Sequence, residues 1–162
     1  MNAQGWSFQS YVDGTAPLAP IARLLGWEAI EVDQTAATVR LSFAATNSFL
    51  NPVGTVQGGI LCAMLDETMS GAVGLCLAPH QVIPTIEMQV RFVRPALPGR
   101  IVGTGRVLHR GNRVCHMAGE LSDLDGNLLA VGTGSCMVRT LRPSSIVDSS
   151  PKDGGNHAAA PD

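Results

Sequence analysis

Between Gly58 and Ala78, apolar residues recur at three- and four-residue spacing: Ile60, Leu61, Met64, Leu65, Met69, Ala72, Val73, Cys76 and Leu77. They cover more than half the circumference of a helix, which marks an element enclosed by the fold. The spacing predicts about five helical turns opening at Gly58-Gly59. Two adjacent carboxylates, Asp66 and Glu67, break the apolar run. Gly71 and Gly74 each cost about 1 kcal/mol of helix propensity relative to Ala, which points to another backbone approaching closely there.

Elsewhere the period changes. Residues 1 to about 16 are polar with isolated Trp6, Phe8 and Tyr11, an arm expected to dock on the body. Pro20 suits a helix start, and Ile21, Leu24 and Leu25 share a face before Gly26 ends it. From Trp27 the period is two. It predicts two strands with a turn near Asp33-Gln34, the second alternating Val39, Leu41 and Phe43 with Arg40 and Ser42. A loop over 46–56 carries Asn47, Asn51, Pro52 and Gly54. After the long helix come four strand-like runs, Ile83–Val93, Arg100–Leu108, Arg113–Leu121 and Leu128–Arg139, with Asp125-Gly126 as a hairpin signal. They read as an antiparallel meander. The tail 143–162, rich in Pro, Gly, Ser and Asp, is expected to be disordered. The prediction is a single α+β domain over 1–142, a long central helix wrapped by a curved antiparallel sheet of about five to six strands. Its sheet edges and one helix flank need a partner, so a homodimer is expected.

Bulk numbers narrow the function. At 162 residues the chain suits one domain, and a net charge of −2 with pI near 6.0 gives no field to attract nucleic acid. The first residues lack the charged and apolar regions of a signal peptide, and Asp66 and Glu67 argue against a membrane span. Cys62, Cys76, Cys115 and Cys136 form no CxxC pair and have no His at ligand spacing, so reduced core thiols of a cytoplasmic protein are expected, with no metal and no cofactor.

Asn51, then GTVQGG, Asp66, TIEMQVRFVRPA, GTGRVLHRGN and SDLDGNLLAVGTG occur in that order over about Leu24 to Thr140. Together they resemble the hot-dog-fold acyl-CoA thioesterases, the branch being the PaaI-type (phenylacetate-degradation) subfamily. The motif in that family is Asn, a gap, His-Gly-Gly, then an acid nine residues after the His. Asn51 lies six residues before position 57 and Asp66 nine after it. The departure is Gln57, which stands where most of the subfamily has His. The resemblance implies that Asn51 and Gln57 place the attacking water and thioester, and that Gly58 donates its N–H to the thioester carbonyl. It implies Asp66 as nucleophile or base, assisted by Thr85 from the facing subunit. A dimer, extended to a homotetramer of two dimers, is common in the family.

The residues carry this chemistry on their own terms. Gly58 and Gly59 open a helix where N–H groups lack internal partners and the macrodipole is positive, a ready oxyanion site or a plain glycine turn. Asp66 falls two turns down near the same face, about 12 Å along the axis. As base it deprotonates water; as nucleophile it forms a mixed anhydride; the plain alternative is a solvated helix acid. Glu67, about 100° further round, faces outward, pairs with an Arg, or rivals Asp66. Gln57 has no titratable proton, so it can position but not donate as a general acid. Thr85 is a catalytic helper or an ordinary β-branched strand residue. Arg94, Arg110 and Arg113, with Arg91, are candidates for the coenzyme A phosphates or for surface charge. The leading expectation is an acyl-CoA thioesterase. Its rivals are a non-catalytic acyl-CoA binder on the same fold and a hydratase, the latter needing a His that Gln57 replaces.

Overall fold

The structure, a computed structural model, describes residues 7–141. The expected disordered tail and Trp6 lie outside these residues. Two short helices come first, α1 (Phe8–Val12) and α2 (Pro20–Leu24). Ser7 caps α1 by accepting from the Ser10 N–H, and Pro20 opens α2. Strands β1 (Glu28–Asp33) and β2 (Thr38–Ala45) form the expected hairpin.

The long helix α3 spans Gly58–Gly74, not Gly58–Ala78. Leu75 caps it, and the Cys76 and Leu77 N–H groups turn back to the Val73 and Gly74 carbonyls. Pro79 bars the helix from running through Ala78, because the residue before a proline is pushed out of helical geometry. After α3 come β3 (Gln81–Val82), β4 (Thr85–Phe92), β5 (Gly99–Arg110), β6 (Val114–Ser122), β7 (Leu128–Met137) and β8 (Arg139–Thr140). Six strands form one antiparallel sheet in the order β1-β2-β5-β6-β7-β4, and β3 pairs with β8 in a small second sheet. The four-run meander is therefore corrected. β5, β6 and β7 are neighbours, but β4 lies at the far edge beyond β7. The helix between β2 and β4 crosses the face of the sheet, so the next strand starts on the opposite side.

Helix α3 packs into the concave face. Met64, Leu65 and Met69 are fully buried there, each worth about 1.5–3 kcal/mol of apolar transfer. The approach is close: a Cβ on Gly105 would fall on the Thr68 carbonyl. Gly71 and Gly74 do mark a close contact, but the neighbour is the Phe8 ring of α1 and not a backbone. A Cβ at either position would lie 2.8 Å from Phe8. This ring, edge-on to Trp27, docks the N-terminal arm as expected.

Candidate active site

The sheet covers Leu61, Met64, Leu65, Thr68, Met69 and Ala72 on α3 and leaves open the flank that carries Gly59, Ala63, Asp66 and Glu67. A loop over 50–57 leads into this helix. Asn51 braces that loop: its Oδ1 accepts from the Val53 and Thr55 N–H groups at 3.1 and 3.2 Å, and its Nδ2 donates to Thr55 Oγ1 at 2.8 Å. Its polar atoms thus shape the loop. The Val56 N–H ties the loop to the Ala96 carbonyl.

Gln57 is the N-cap, yet its exposed side chain makes no capping bond. Its carbonyl accepts from Ile60 and Leu61, which leaves the Gly58 and Gly59 N–H groups without an acceptor among the described residues. The space that glycine frees is not where expected. At Gly58 it is filled by the Phe92 ring, 3.0 Å from an added Cβ; at Gly59 nothing lies within 4 Å. Open approach to the helix start is therefore on the Gly59 side, with Phe92 as one wall.

Asp66 is half-buried and its Oδ1 accepts a 2.8 Å hydrogen bond from Thr85 Oγ1. Thr85 heads β4 and lies opposite Cys136 of β7, which fixes it beneath the helix flank. The Thr85 hydroxyl therefore meets Asp66 within one chain, where the resemblance places the corresponding hydroxyl on the facing subunit. Glu67 forms no ion pair with any described residue, so of its alternatives the arginine pair is not formed among them. Desolvation, reinforced by the neighbouring Asp66 charge, holds its carboxyl above the ordinary carboxylate range. Burial pushes the Cys136 thiol, beside Asp66, up to about 11.

The three arginines do not converge. Arg94 follows β4 near the helix start, and its guanidinium donates to the Leu128 carbonyl at 3.0 Å. Arg110 and Arg113 stand at the opposite end of α3, Arg110 beside Val73 and Cys76. Phe92 and Cys62 were missed as site residues. Phe92 shares strand parity with Met88 and Val90, and Cys62 sits one turn before Asp66 on its face, half-exposed and not in the core. Both signals were present as spacing.

The thioesterase superfamily model matches residues 53–130, a span holding the glycine pair, Asp66, Thr85 and Phe92. A Mycobacterium tuberculosis protein, provisionally named an esterase in two strains, is 31% identical over 107 residues, 62% of this chain and 75% of its own. A phenylacetic acid degradation-related protein of Ralstonia eutropha JMP134 superposes with a TM-score of 0.78 at 39% identity, over 82% of this chain and 99% of that one. The chain belongs to the thioesterase superfamily. The E. coli PaaI protein from the phenylacetic acid degradation operon shares the fold, with a TM-score of 0.70 at 18% identity over 80% of this chain and 91% of that one. The hot-dog architecture is thereby accounted for: the long helix is its filling and the six-stranded curved sheet its wrapping. No helix among the described residues is long and apolar enough to cross a membrane.

Proposed function

We propose that this thioesterase-superfamily protein hydrolyses acyl-CoA thioesters to a free carboxylic acid and coenzyme A, with Asp66 as the working acid. The observation that carries this reading is the Thr85–Asp66 hydrogen bond on the uncovered flank of α3. A carboxylate held by one donor, half out of water, keeps an oxygen free to take a proton from water or to attack a carbonyl carbon. The free N–H groups at Gly58 and Gly59 supply the matching oxyanion donors, one such donor being worth about 3–4 kcal/mol in the transition state. Gln57, exposed at their edge, orients water or thioester by hydrogen bonding and has no titratable proton to transfer.

The donors and the acid are eight residues apart, about 12 Å along one helix, too far to grip one thioester. A second copy closes the gap. β4 is an eight-residue edge strand with Ile86 and Phe92 more than half exposed, which leaves its ladder open to another strand. Antiparallel pairing of β4 with its own copy about its midpoint sets Phe92 opposite Thr85 of the partner subunit. Gly58, under Phe92, then meets Asp66 of the partner subunit. A homodimer is thus the least assembly the reaction needs, and a tetramer of two dimers keeps both sites. The four unpaired thiols, with Cys115 directly opposite Cys136, fit a reducing, cytoplasmic compartment.

Release of free thiol from a panel of aryl- and alkyl-CoA esters tests the proposal. Asp66→Ala is expected to lower the rate by about 10²–10⁴-fold. No release by the unaltered protein would leave only the acyl-CoA-binding reading. Unchanged release in Asp66→Ala would move the working acid to Glu67.

A further inference from the structure

Three of the four cysteines gather towards the C-terminal end of α3. Cys115 of β6 and Cys136 of β7 are direct partners in the ladder, and both are buried in the core. Directly opposed residues of an antiparallel pair hold their Cα atoms about 4.5 or about 5.5 Å apart, inside the span of about 4.4–6.8 Å that a disulfide bridges. The Cys136 thiol already interacts with Cys115. Cys115 and the half-exposed Cys76 also border a cavity of about 250 Å³, which Val73, Gln81 and Arg110 help to line. The cavity gives a small oxidant a way to Cys115. Cys136 lies one strand further on and does not border it. Arg110, the ladder partner of Cys115 on β5, brings a guanidinium to the same cavity.

The same row of the sheet reaches the acid. The partner of Cys136 on its other side is Thr85 of β4, whose hydroxyl donates to Asp66. Cys115, Cys136, Thr85 and Asp66 thus form one line from the cavity to the acid. We propose that Cys115 and Cys136 are an oxidation site, closed to a disulfide by a hydroperoxide and reopened by a thiol reductant, which governs how Thr85 meets Asp66. The Cys115 sulfur attacks the nearer peroxide oxygen, and the O–O bond breaks. The outer oxygen leaves as an alcohol, or as water from hydrogen peroxide, and Cys115 becomes a sulfenic acid. The Cys136 sulfur then attacks the Cys115 sulfur; the S–O bond breaks, and the hydroxyl leaves as water with the Cys136 proton. Two thiols lose two electrons, and one hydroperoxide is reduced to an alcohol and water. Arg110 stabilises the negative charge that passes to the departing oxygen. Burial, the largest effect in pushing the Cys136 thiol up to about 11, makes it the second, resolving partner. A covalent bond brings the two sulfurs closer than any non-bonded contact, so closure draws Cys136 towards β6 and shifts its neighbour Thr85. A displacement of about 1 Å at a reacting group costs up to about 10²-fold in rate. In a reducing compartment such a bond is transient.

The effect on rate rests on the thioesterase reading of Asp66; the bond itself does not. The experiment treats the reduced full chain with hydrogen peroxide, removes the peroxide, blocks the remaining thiols and cleaves after Glu120, which separates the two cysteines. The peptides that carry Cys115 and Cys136 are expected to be joined. Hydrolysis of an acyl-CoA ester, followed by the thioester absorbance before blocking, should fall about ten- to hundredfold and return with dithiothreitol. Cys115→Ala and Cys136→Ala should each abolish both the joined peptides and the reversible loss. Cys62 and Cys76 are more exposed and oxidise as well. The measurements are therefore repeated in a Cys62→Ala, Cys76→Ala chain, compared with its own reduced form, where bond and loss should both persist. Peptide mapping of the unaltered chain depends on no variant folding. Separate peptides under conditions that oxidise Cys62 fully would overturn the site. Joined peptides with an unchanged rate, or a loss that survives in Cys115→Ala, would overturn its link to Asp66. A bond that forms in a chain hydrolysing no ester keeps the oxidation site and removes the thioesterase reading instead.

Discussion

Glu67 is a half-buried carboxylate on an open helix flank, with a like charge one residue away and no cation at hand. Its folded-state pKa lies above its ordinary 4.5, because desolvation and Asp66 both disfavour ionisation. Between those two values the folded chain binds more protons than the unfolded one, so stability falls as pH rises. The contribution is full below 4.5 and lost as pH passes through the raised value. Glu67→Gln is therefore expected to raise the melting temperature at pH 8, to change it little at pH 4, and to flatten the profile between. A larger gain at pH 4 than at pH 8 would contradict this assignment. At this scale the sequence was informative wherever function rests on spacing along one element. Asp66, Gly58 and Gly59 are proposed site residues placed in this way, and Thr85, carried over by the resemblance, lies within hydrogen-bond reach of Asp66. It was silent wherever a role depends on what fills space. That Gly58 makes room for Phe92, or that Asn51 spends its amide on its own loop, follows only from the folded contacts.

Among the elements, helix α3 was legible because its apolar run is long, and β5 to β7 because tight turns join them. The position of β4 was not, since a strand's neighbours are set by how the preceding helix crosses the sheet. The reason for Gly71 was also half hidden: spacing showed that something must approach, but not that α1 supplies a ring. That contact can be measured. Gly71→Ala gains about 1 kcal/mol of helix propensity but drives a methyl to 2.8 Å from Phe8, an overpacking cost of about 1–3 kcal/mol. Denaturant midpoints should show Gly71→Ala as neutral to destabilising, by up to about 2 kcal/mol. In a Phe8→Ala background, itself costing about 3 kcal/mol or more, the same change should stabilise by up to about 1 kcal/mol. Additive effects in the double variant would mean that the ring does not dictate the glycine.

For the whole molecule, the decisive question is whether one chain holds a complete site. Within the chain, the Gly58 N–H proposed as carbonyl donor and the Asp66 carboxylate proposed as the acid sit on one helix about 12 Å apart and cannot converge. In the proposed two-fold pairing along β4 they would converge twice, each site drawing Asp66 and Thr85 from one subunit and Gly58 and Phe92 from the other. This makes a prediction that no single variant can test. Gly58→Pro removes the N–H at a helix position that tolerates proline, and Asp66→Ala removes the acid; each homodimer should be inactive. Refolded together at equal amounts, half the dimers pair one chain of each kind. In such a dimer one site combines both lesions, while the other combines an intact Gly58 with an intact Asp66. Mixing should therefore restore about a quarter of the unaltered activity. A site built within one chain would restore none, because every chain in the mixture would carry its own lesion into its own site.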